Sequence, residues 1–268
     1  MSGYYENKVS VVTGGASGLG LGIAGHLLAK GAAAVFLADV KEENLTREAG
    51  LLNGKYPGKV FPVLVDVTKQ EQVAELVAKA KAFDGHLDFV FNNAGVGLTL
   101  PTEKVTFEMW RFVVDLNLMG VVYGTYSAIP AMREQGFGHI VNTGSITGRV
   151  PVPYQAVYAA TKAGVISMTE SLQYELETEG LNFSVICPGN VATGIFGDAA
   201  PPPDAVGVDD AVDYILQEVE KKSLLIILPQ LMRDVDAAYR ERRDEYDAFA
   251  RKTAAERREN YRTKGTYY

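Results

Sequence analysis

Tyr158 and Lys162 stand four residues apart in Tyr158-Ala159-Ala160-Thr161-Lys162, so on a helix a phenol and an ammonium share one face. A phenol, ordinarily near pKa 10, is a poor base at neutral pH, and a neighbouring positive charge favours its phenolate. Lowering the pKa by three units would need about 4 kcal/mol of preference for the charged form. Taken alone, Tyr-x-x-x-Lys arises easily by chance, and a surface pair is its plain reading. Thirteen residues upstream, Ser145 ends Asn142-Thr143-Gly144-Ser145. A hydroxyl there could hold a substrate oxygen beside the phenol, or could be an ordinary turn or cap residue.

A second set of residues suits a phosphate-bearing ligand. Thr13-Gly14-Gly15-Ala16-Ser17-Gly18-Leu19-Gly20 follows a short apolar run and opens a helical pattern, with glycines spaced G-x-x-x-G-x-G. Glycine permits a tight turn and close approach, and a helix start offers free N–H groups and positive dipole to an anion. Gly14, Ser17, Gly18, Leu19 and Gly20 are the candidate contacts, although the spacing is not the G-x-G-x-x-G fingerprint. Asp39 ends the next apolar run about twenty residues later, where a carboxylate can bond the ribose hydroxyls and repel a 2′-phosphate. That favours NAD over NADP. Lys41 blunts the preference, and a plain helix cap is the other reading of Asp39. Asp66 and Val67 form a similar pair that could face an adenine ring or simply cap a helix.

These residues need elements to position them. Short β-branched runs recur at Val9–Val12, Val35–Ala38, Val60–Val65, Phe89–Asn92, Ile140–Thr143, Phe183–Cys187 and Leu224–Leu228. They alternate with helical patterns, clearest over Gly18–Ala29, Gln70–Phe83, Thr106–Met132 and Val157–Thr178. The alternation predicts an α/β fold, a Rossmann-like doubly wound parallel sheet of seven strands with helices on both faces. The strands lack clean polar alternation, as burial on both sides requires. Residues 1–228 are expected to form one dinucleotide-binding catalytic domain, and 229–268 a charged helical extension. Between Arg240 and Asn260 that extension holds seven basic and six acidic residues, the pattern of a solvated or subunit-contacting helix that carries no chemistry. Asp198–Val208, with Pro201, Pro202 and Pro203, reads as a surface loop.

Composition excludes several classes. The 268 residues carry 26 Lys plus Arg against 33 Asp plus Glu, a net charge of -7 that provides no basic field for nucleic acid. The first apolar run stops at Thr13, too short for a signal core or membrane span, and one cysteine suits a reducing compartment. A cytoplasmic protein without membrane or nucleic-acid partners is expected. His26, His86 and His139 are isolated, so no metal site is expected, and Cys187 reads as an inert core thiol.

In combination, Thr13–Gly20, Asp39, Asp66, Asn92-Asn93-Ala94-Gly95, Asn117, Ser145, Tyr158, Lys162 and the segment from Pro188-Gly189 to Thr193 resemble a conventional single-domain short-chain dehydrogenase/reductase. The resemblance spans roughly residues 7–193. It implies that Asn117, Ser145, Tyr158 and Lys162 form the catalytic set and that NAD is the cofactor. Tyr158 and Lys162 would also contact the nicotinamide nucleotide, whose positive charge helps acidify the phenol. By the same resemblance, Asn93, Ala94 and Gly95 pass beside the cofactor, and Asn117 binds a water linking Lys162 to solvent. Pro188, Gly189, Val191 and Thr193 would fix the nicotinamide amide. The chain departs from many relatives after Thr193, which leaves a homodimer as well as the family's usual homotetramer in play. Val150, Val152, Tyr154, Ile195 and Phe196 are expected to border the substrate, and an apolar pocket suits a hydrophobic secondary alcohol or its ketone. A sugar-nucleotide epimerase or dehydratase and a non-catalytic dinucleotide sensor are the competing readings.

Overall fold

A computed structural model of the chain describes residues 3–194 and 201–265. The apolar runs form seven strands: β1 (Val9–Thr13), β2 (Ala34–Asp39), β3 (Val60–Leu64), β4 (Phe89–Asn92), β5 (Gly138–Thr143), β6 (Leu181–Pro188) and β7 (Leu225–Leu228). All pair in parallel in the order β3-β2-β1-β4-β5-β6-β7. The order reverses between β1 and β4, and in such sheets ligands bind beyond the carboxyl ends of the strands at that point. Strand β1 and strand β5 are buried at every position, so neither shows polar alternation. Strand β3 differs: it lies at the sheet edge and alternates between covered and open positions.

Helices cover both faces. On one side α1 (Gly18–Ala29), α2 (Glu42–Lys55) and α7 (Val208–Glu220) bury Ile23, Leu27, Leu45 and Ile215 against Val12, Val35 and Leu37. On the other, α3 (Gln70–Asp84), α5 (Gly120–Gln135) and α6 (Ala156–Leu176) bury Leu76, Val77, Met132 and Leu172 against Val11, Val90 and Ile140. Burial of apolar side chains at this scale, about 1.5–3 kcal/mol for each large one, fixes the strand register that aligns the loops.

The run expected as one helix over 106–132 is interrupted. Helix α4 (Phe107–Val114) passes into a π turn at Asp115–Met119 before α5 begins. A π turn inserts one extra residue and is frequent at functional sites; here it carries the fully buried Asn117. The continuous helical stretch Phe107–Gln135 has the length and apolar composition of a membrane span, yet it packs on α3, α6 and β4. The charged tail forms two helices, α8 (Gln230–Glu241) and α9 (Arg243–Lys264), which break at Arg242, whose φ is −132° and ψ 57°. In the segment expected as a loop, Val206 bridges Val191, so part of it is held to the end of β6.

Behind the site lies a buried polar network. Asn92 Nδ2 donates to Asn142 Oδ1 at 2.9 Å and to Thr125 Oγ1 at 3.2 Å, and Asn142 Nδ2 donates to Thr169 Oγ1 at 3.0 Å. Gly124 lets α5 approach this network, since a Cβ there would lie 1.9 Å from Asn92 Oδ1. Gly124→Ala should therefore destabilise the fold by about 2–3 kcal/mol. Gly50→Ala, in α2 with open space around it, should instead stabilise by about 0.5–1 kcal/mol. Urea denaturation midpoints of the two variants check this opposite pair of signs.

Candidate active site

The site is assembled at the carboxyl ends of β1, β2, β4, β5 and β6. After β1, Gly14 and Gly18 adopt φ of +63° and +51°, the left-handed region that glycine enters without strain. A Cβ on Gly14 would lie 2.9 Å from Ala94 Cα, so the turn packs directly on the segment after β4. Thr13 reinforces that contact: its Oγ1 accepts from the backbone N–H of Asn93 at 3.0 Å and of Ala94 at 3.1 Å. Asn93 Nδ2 in turn donates to the Thr13 carbonyl at 3.2 Å. Ser17 takes the N-cap position of α1 but makes no side-chain cap hydrogen bond, so its hydroxyl leaves the first-turn N–H groups of Gly18, Leu19 and Gly20 to an external acceptor. This is the local chemistry a pyrophosphate needs.

Asp39 closes β2 against the same turn. Its Oδ2 accepts from Ala16 N–H at 3.1 Å and its Oδ1 from Lys41 N–H at 3.0 Å. The carboxylate is thus locked beside the glycine loop with remaining lone pairs for a ribose hydroxyl. Asp66 makes a local Asx turn, accepting from both the N–H and the hydroxyl of Thr68 at 2.9 and 2.7 Å. Val67 is buried and packs on Gly120. From the far side, Thr193 approaches Gly18 closely, where a Cβ would meet Thr193 Cβ at 3.1 Å. Pro188 ends β6, Gly189 N–H donates to the Leu228 carbonyl at 2.8 Å, and Val191 is held by its bridge to Val206. The glycine turn and the segment 188–193 therefore face each other across the site.

Two of the expected catalytic residues, Asn117 and Lys162, converge on Gly95. A Cβ at that position would lie 3.0 Å from Asn117 Oδ1 and 3.6 Å from Lys162 Nζ. Lys162 is buried at 3% exposure, and Nζ donates to the Thr143 carbonyl at 2.7 Å. Its ammonium lies 5.7 Å from the centre of the Tyr158 ring, one helical turn earlier on α6. Burial pulls the Lys162 pKa down to about 8. The group remains mostly charged at neutral pH, while losing much of the reserve an exposed lysine has. Asn117 spends its side-chain amide on Val96, accepting from its N–H and donating to its carbonyl, both at 2.8 Å. Ser145 is nearly buried and caps the following 3-10 turn, its Oγ accepting from Thr147 N–H at 3.2 Å. The Ser145 and Thr147 hydroxyls are 2.9 Å apart.

Thr13, Thr147 and the Thr143 carbonyl are contributors that residue-type reasoning passed over. Thr147 was signalled only by a hydroxyl two residues after Ser145, the spacing of a Ser/Thr turn. A main-chain carbonyl such as that of Thr143 leaves no mark in sequence. Of the expected substrate-side residues, Val150 is buried with Ile146, Val165 and Cys187, whereas Val152 and Tyr154 line a cavity of about 340 Å³ shared with α9. Ile195 and Phe196 lie outside the described residues.

The isolated histidines and the cysteine are placed differently. His139 is buried with its Nε2 2.8 Å from Ser184 Oγ, and burial holds it neutral with a pKa down to about 3. Burial pushes the Cys187 thiol up to about 12, far from a nucleophile's range. Among the described residues no group of three His, Cys, Asp or Glu side chains is arranged to hold a metal.

The sheet with its switch-point loops and the Ser145–Tyr158–Lys162 arrangement define a dinucleotide-dependent oxidoreductase architecture. The chain belongs to the short chain dehydrogenase family, whose model matches residues 8–203. An uncharacterized oxidoreductase of Staphylococcus saprophyticus is 35% identical over 217 residues, covering 80% of this chain and 92% of that protein. One of Staphylococcus aureus strain USA300 is 39% identical over 189 residues, covering 70% of this chain and 80% of that protein. A short chain dehydrogenase/reductase from Burkholderia phymatum, solved with NAD, superimposes with a TM-score of 0.81 at 28% identity over 88% of this chain and 94% of that one. A short chain dehydrogenase from Burkholderia cenocepacia, solved with NADP, also gives 0.81 at 28% identity, covering 92% and 98%.

The Lys162 pKa carries a stability signature. Between about pH 8 and 10.5 the unfolded chain holds a proton on this lysine that the native state has released, so the contribution of Lys162 to native stability rises with pH across that window, against an opposite contribution from the Cys187 thiol above about pH 9. The gain is on the order of 3 kcal/mol and is complete above the unfolded value. Lys162→Met lacks this contribution, so the stability of wild type relative to the variant should rise between pH 7.5 and 10.5; urea titrations of both proteins at pH 7.5, 9 and 10.5 measure the difference.

Proposed function

We propose that the protein is an NAD-dependent oxidoreductase that interconverts a hydrophobic secondary alcohol and its ketone, with Tyr158 as the general acid/base. The observation that carries this reading is the buried Lys162 ammonium beside the Tyr158 ring, at a loop cluster whose helix N-terminus and Asp39 suit a dinucleotide. NAD, when bound, takes up or returns the hydride. Gly14, Ser17, Gly18, Leu19 and Gly20 hold its pyrophosphate by main-chain donors. Asp39 binds the adenosine ribose, with Asp66 and Val67 toward the adenine. Asn93, Ala94 and Gly95 form the floor, and Pro188, Gly189, Val191 and Thr193 take the nicotinamide side.

In alcohol oxidation the Tyr158 phenolate accepts the substrate hydroxyl proton; in ketone reduction the phenol donates it. Lys162 favours the phenolate by its charge. Ser145 turns its hydroxyl to the substrate oxygen and stabilises the charge that develops there, with Thr147 as its partner. The Asn117 side chain is engaged with Val96, so the water link to Lys162 would run through main-chain atoms of the π turn. Asp39 carries the NAD preference, since a 2′-phosphate would meet its carboxylate.

The protein is taken to be a soluble cytoplasmic homo-oligomer acting on a small molecule. Phe107, Phe112 and Tyr126 are open along the α4–α5 run and offer the apolar surface for a subunit contact.

Tyr158→Phe should lower turnover by about 10²–10⁴ while NADH affinity, followed by its fluorescence, stays within about threefold. Wild-type turnover in this variant would overturn the assignment. In a panel of secondary alcohols, kcat/KM with NAD should exceed that with NADP by at least about tenfold, and Asp39→Ala should narrow the gap. A consistent NADP preference would contradict the role of Asp39.

A further inference from the structure

The loop between β5 and α6, residues 144–155, carries Ser145 at its second position and delivers Tyr158 three residues past its end. Pro151 and Pro153 deprive it of two N–H donors, so beyond the 3-10 turn at Ile146–Gly148 it forms no regular element and its own hydrogen bonds fix it only in part. Tyr154 has a φ of +69°, a conformation a bulky residue keeps only where its surroundings over-determine it.

Most of those surroundings belong to the C-terminal tail. Tyr246 Oη donates to the Pro151 carbonyl, Arg257 Nη1 donates to the Pro153 carbonyl at 2.7 Å, and Tyr154 Oη donates to the Ala254 carbonyl at 3.4 Å. At the base of the loop the Arg149 guanidinium makes a two-pronged contact with Asp236 of α8, at 2.9 and 3.0 Å, with both side chains largely buried. Arg240 adds a further bond to Asp236 at 3.2 Å. The tail also reaches the loop after β4, where Lys104 donates to Tyr261 Oη. The two loops are joined directly, by Leu100 N–H to the Tyr154 carbonyl at 3.0 Å and Gln155 Nε2 to Thr99 Oγ1 at 2.9 Å. Between Val152–Ala159 and α9 lies the cavity of about 340 Å³, so over this stretch polar ties rather than close packing hold the loop.

We propose that α8 and α9 clamp the substrate-side loops, and that Arg257 and the Arg149–Asp236 pair are positioning residues that set substrate affinity and selectivity. The tail lies beyond residues 8–203, the stretch that the family model matches. That these loops border an alcohol or ketone rests on the reaction proposed above. The clamp itself rests only on the ties.

The test compares wild type with Arg257→Ala, Arg257→Lys and Asp236→Asn in the full-length protein. Amide hydrogen exchange at Val150, Val152, Tyr154, Gln155 and Leu100 should accelerate about fivefold or more in Arg257→Ala, with β1 and β4 amides unchanged. KM for the best alcohol of the panel should rise about fivefold or more, kcat should change by less than about twofold, and Arg257→Lys should recover most of the KM. Asp236→Asn, if it folds, should shift exchange and KM the same way. Unchanged exchange in Arg257→Ala overturns the clamp, and accelerated exchange with unchanged KM overturns its role in positioning. If wild type turns over no alcohol or ketone, the proposed reaction fails, and exchange alone then decides whether the clamp stands.

Discussion

A fully enclosed ammonium is costly, and Lys162 carries one at the carboxyl end of a parallel sheet. Desolvating such a charge costs several kcal/mol, and a chain keeps it only where bonds and nearby negative charge offset the cost. Here the fixed partner is the Thr143 carbonyl at 2.7 Å, the last residue of β5. Much of the surrounding structure follows from holding that one contact. Strand β5 must end where it does, α6 must start so that Lys162 turns inward one turn after Tyr158, and the β4 loop must pass close enough for Gly95 to lie against it. A larger residue than glycine at position 95 would meet both Asn117 and Lys162. The burial that depresses the lysine pKa also places its charge in a medium where it acts strongly on a neighbouring phenol.

The sheet is the frame for this contact. Strands buried on both faces permit no register slip without exposing apolar side chains, so the loops beyond β1, β4, β5 and β6 arrive in fixed relation. Thr13 ties two of those loops together across the switch point, and the network of Asn92, Asn142, Thr125 and Thr169 ties the central strands to α5 and α6 from behind. The loops proposed to bind a dinucleotide and to handle a proton are thus adjacent parts of one edge of the sheet.

How much of this was legible in the residues depended on whether the cause was local. The seven strands announced themselves as β-branched runs, and their ends agree with the structure to within a few residues because apolar burial sets them. The glycine turn, Asp39, Ser145, Tyr158 and Lys162 stand out in the sequence because the function expected of each needs a particular residue type. The π turn at Asp115–Met119 does not, since the partner of its Asn117 side chain, Val96, lies 21 residues away. Asp66 could face an adenine ring or cap a helix, and its carboxylate accepts from Thr68, a contact its neighbours permitted without requiring. The tail was harder still. Its charges suggested a solvated or subunit-contacting surface, but Asp236 and Arg257 spend theirs on Arg149 and the Pro153 carbonyl, and the Tyr246 hydroxyl bonds the Pro151 carbonyl, about a hundred residues earlier.

The central claim is that the buried charge of Lys162 governs the ionisation of Tyr158. It is tested most directly by the pH profile of kcat/KM for alcohol oxidation at saturating NAD, in wild type and in Lys162→Met. The account predicts that the acid-side ionisation limiting the wild type moves up by about one unit or more when the ammonium is removed, because the phenolate loses its nearest positive charge. A profile that keeps the same acid limb in both proteins would contradict it.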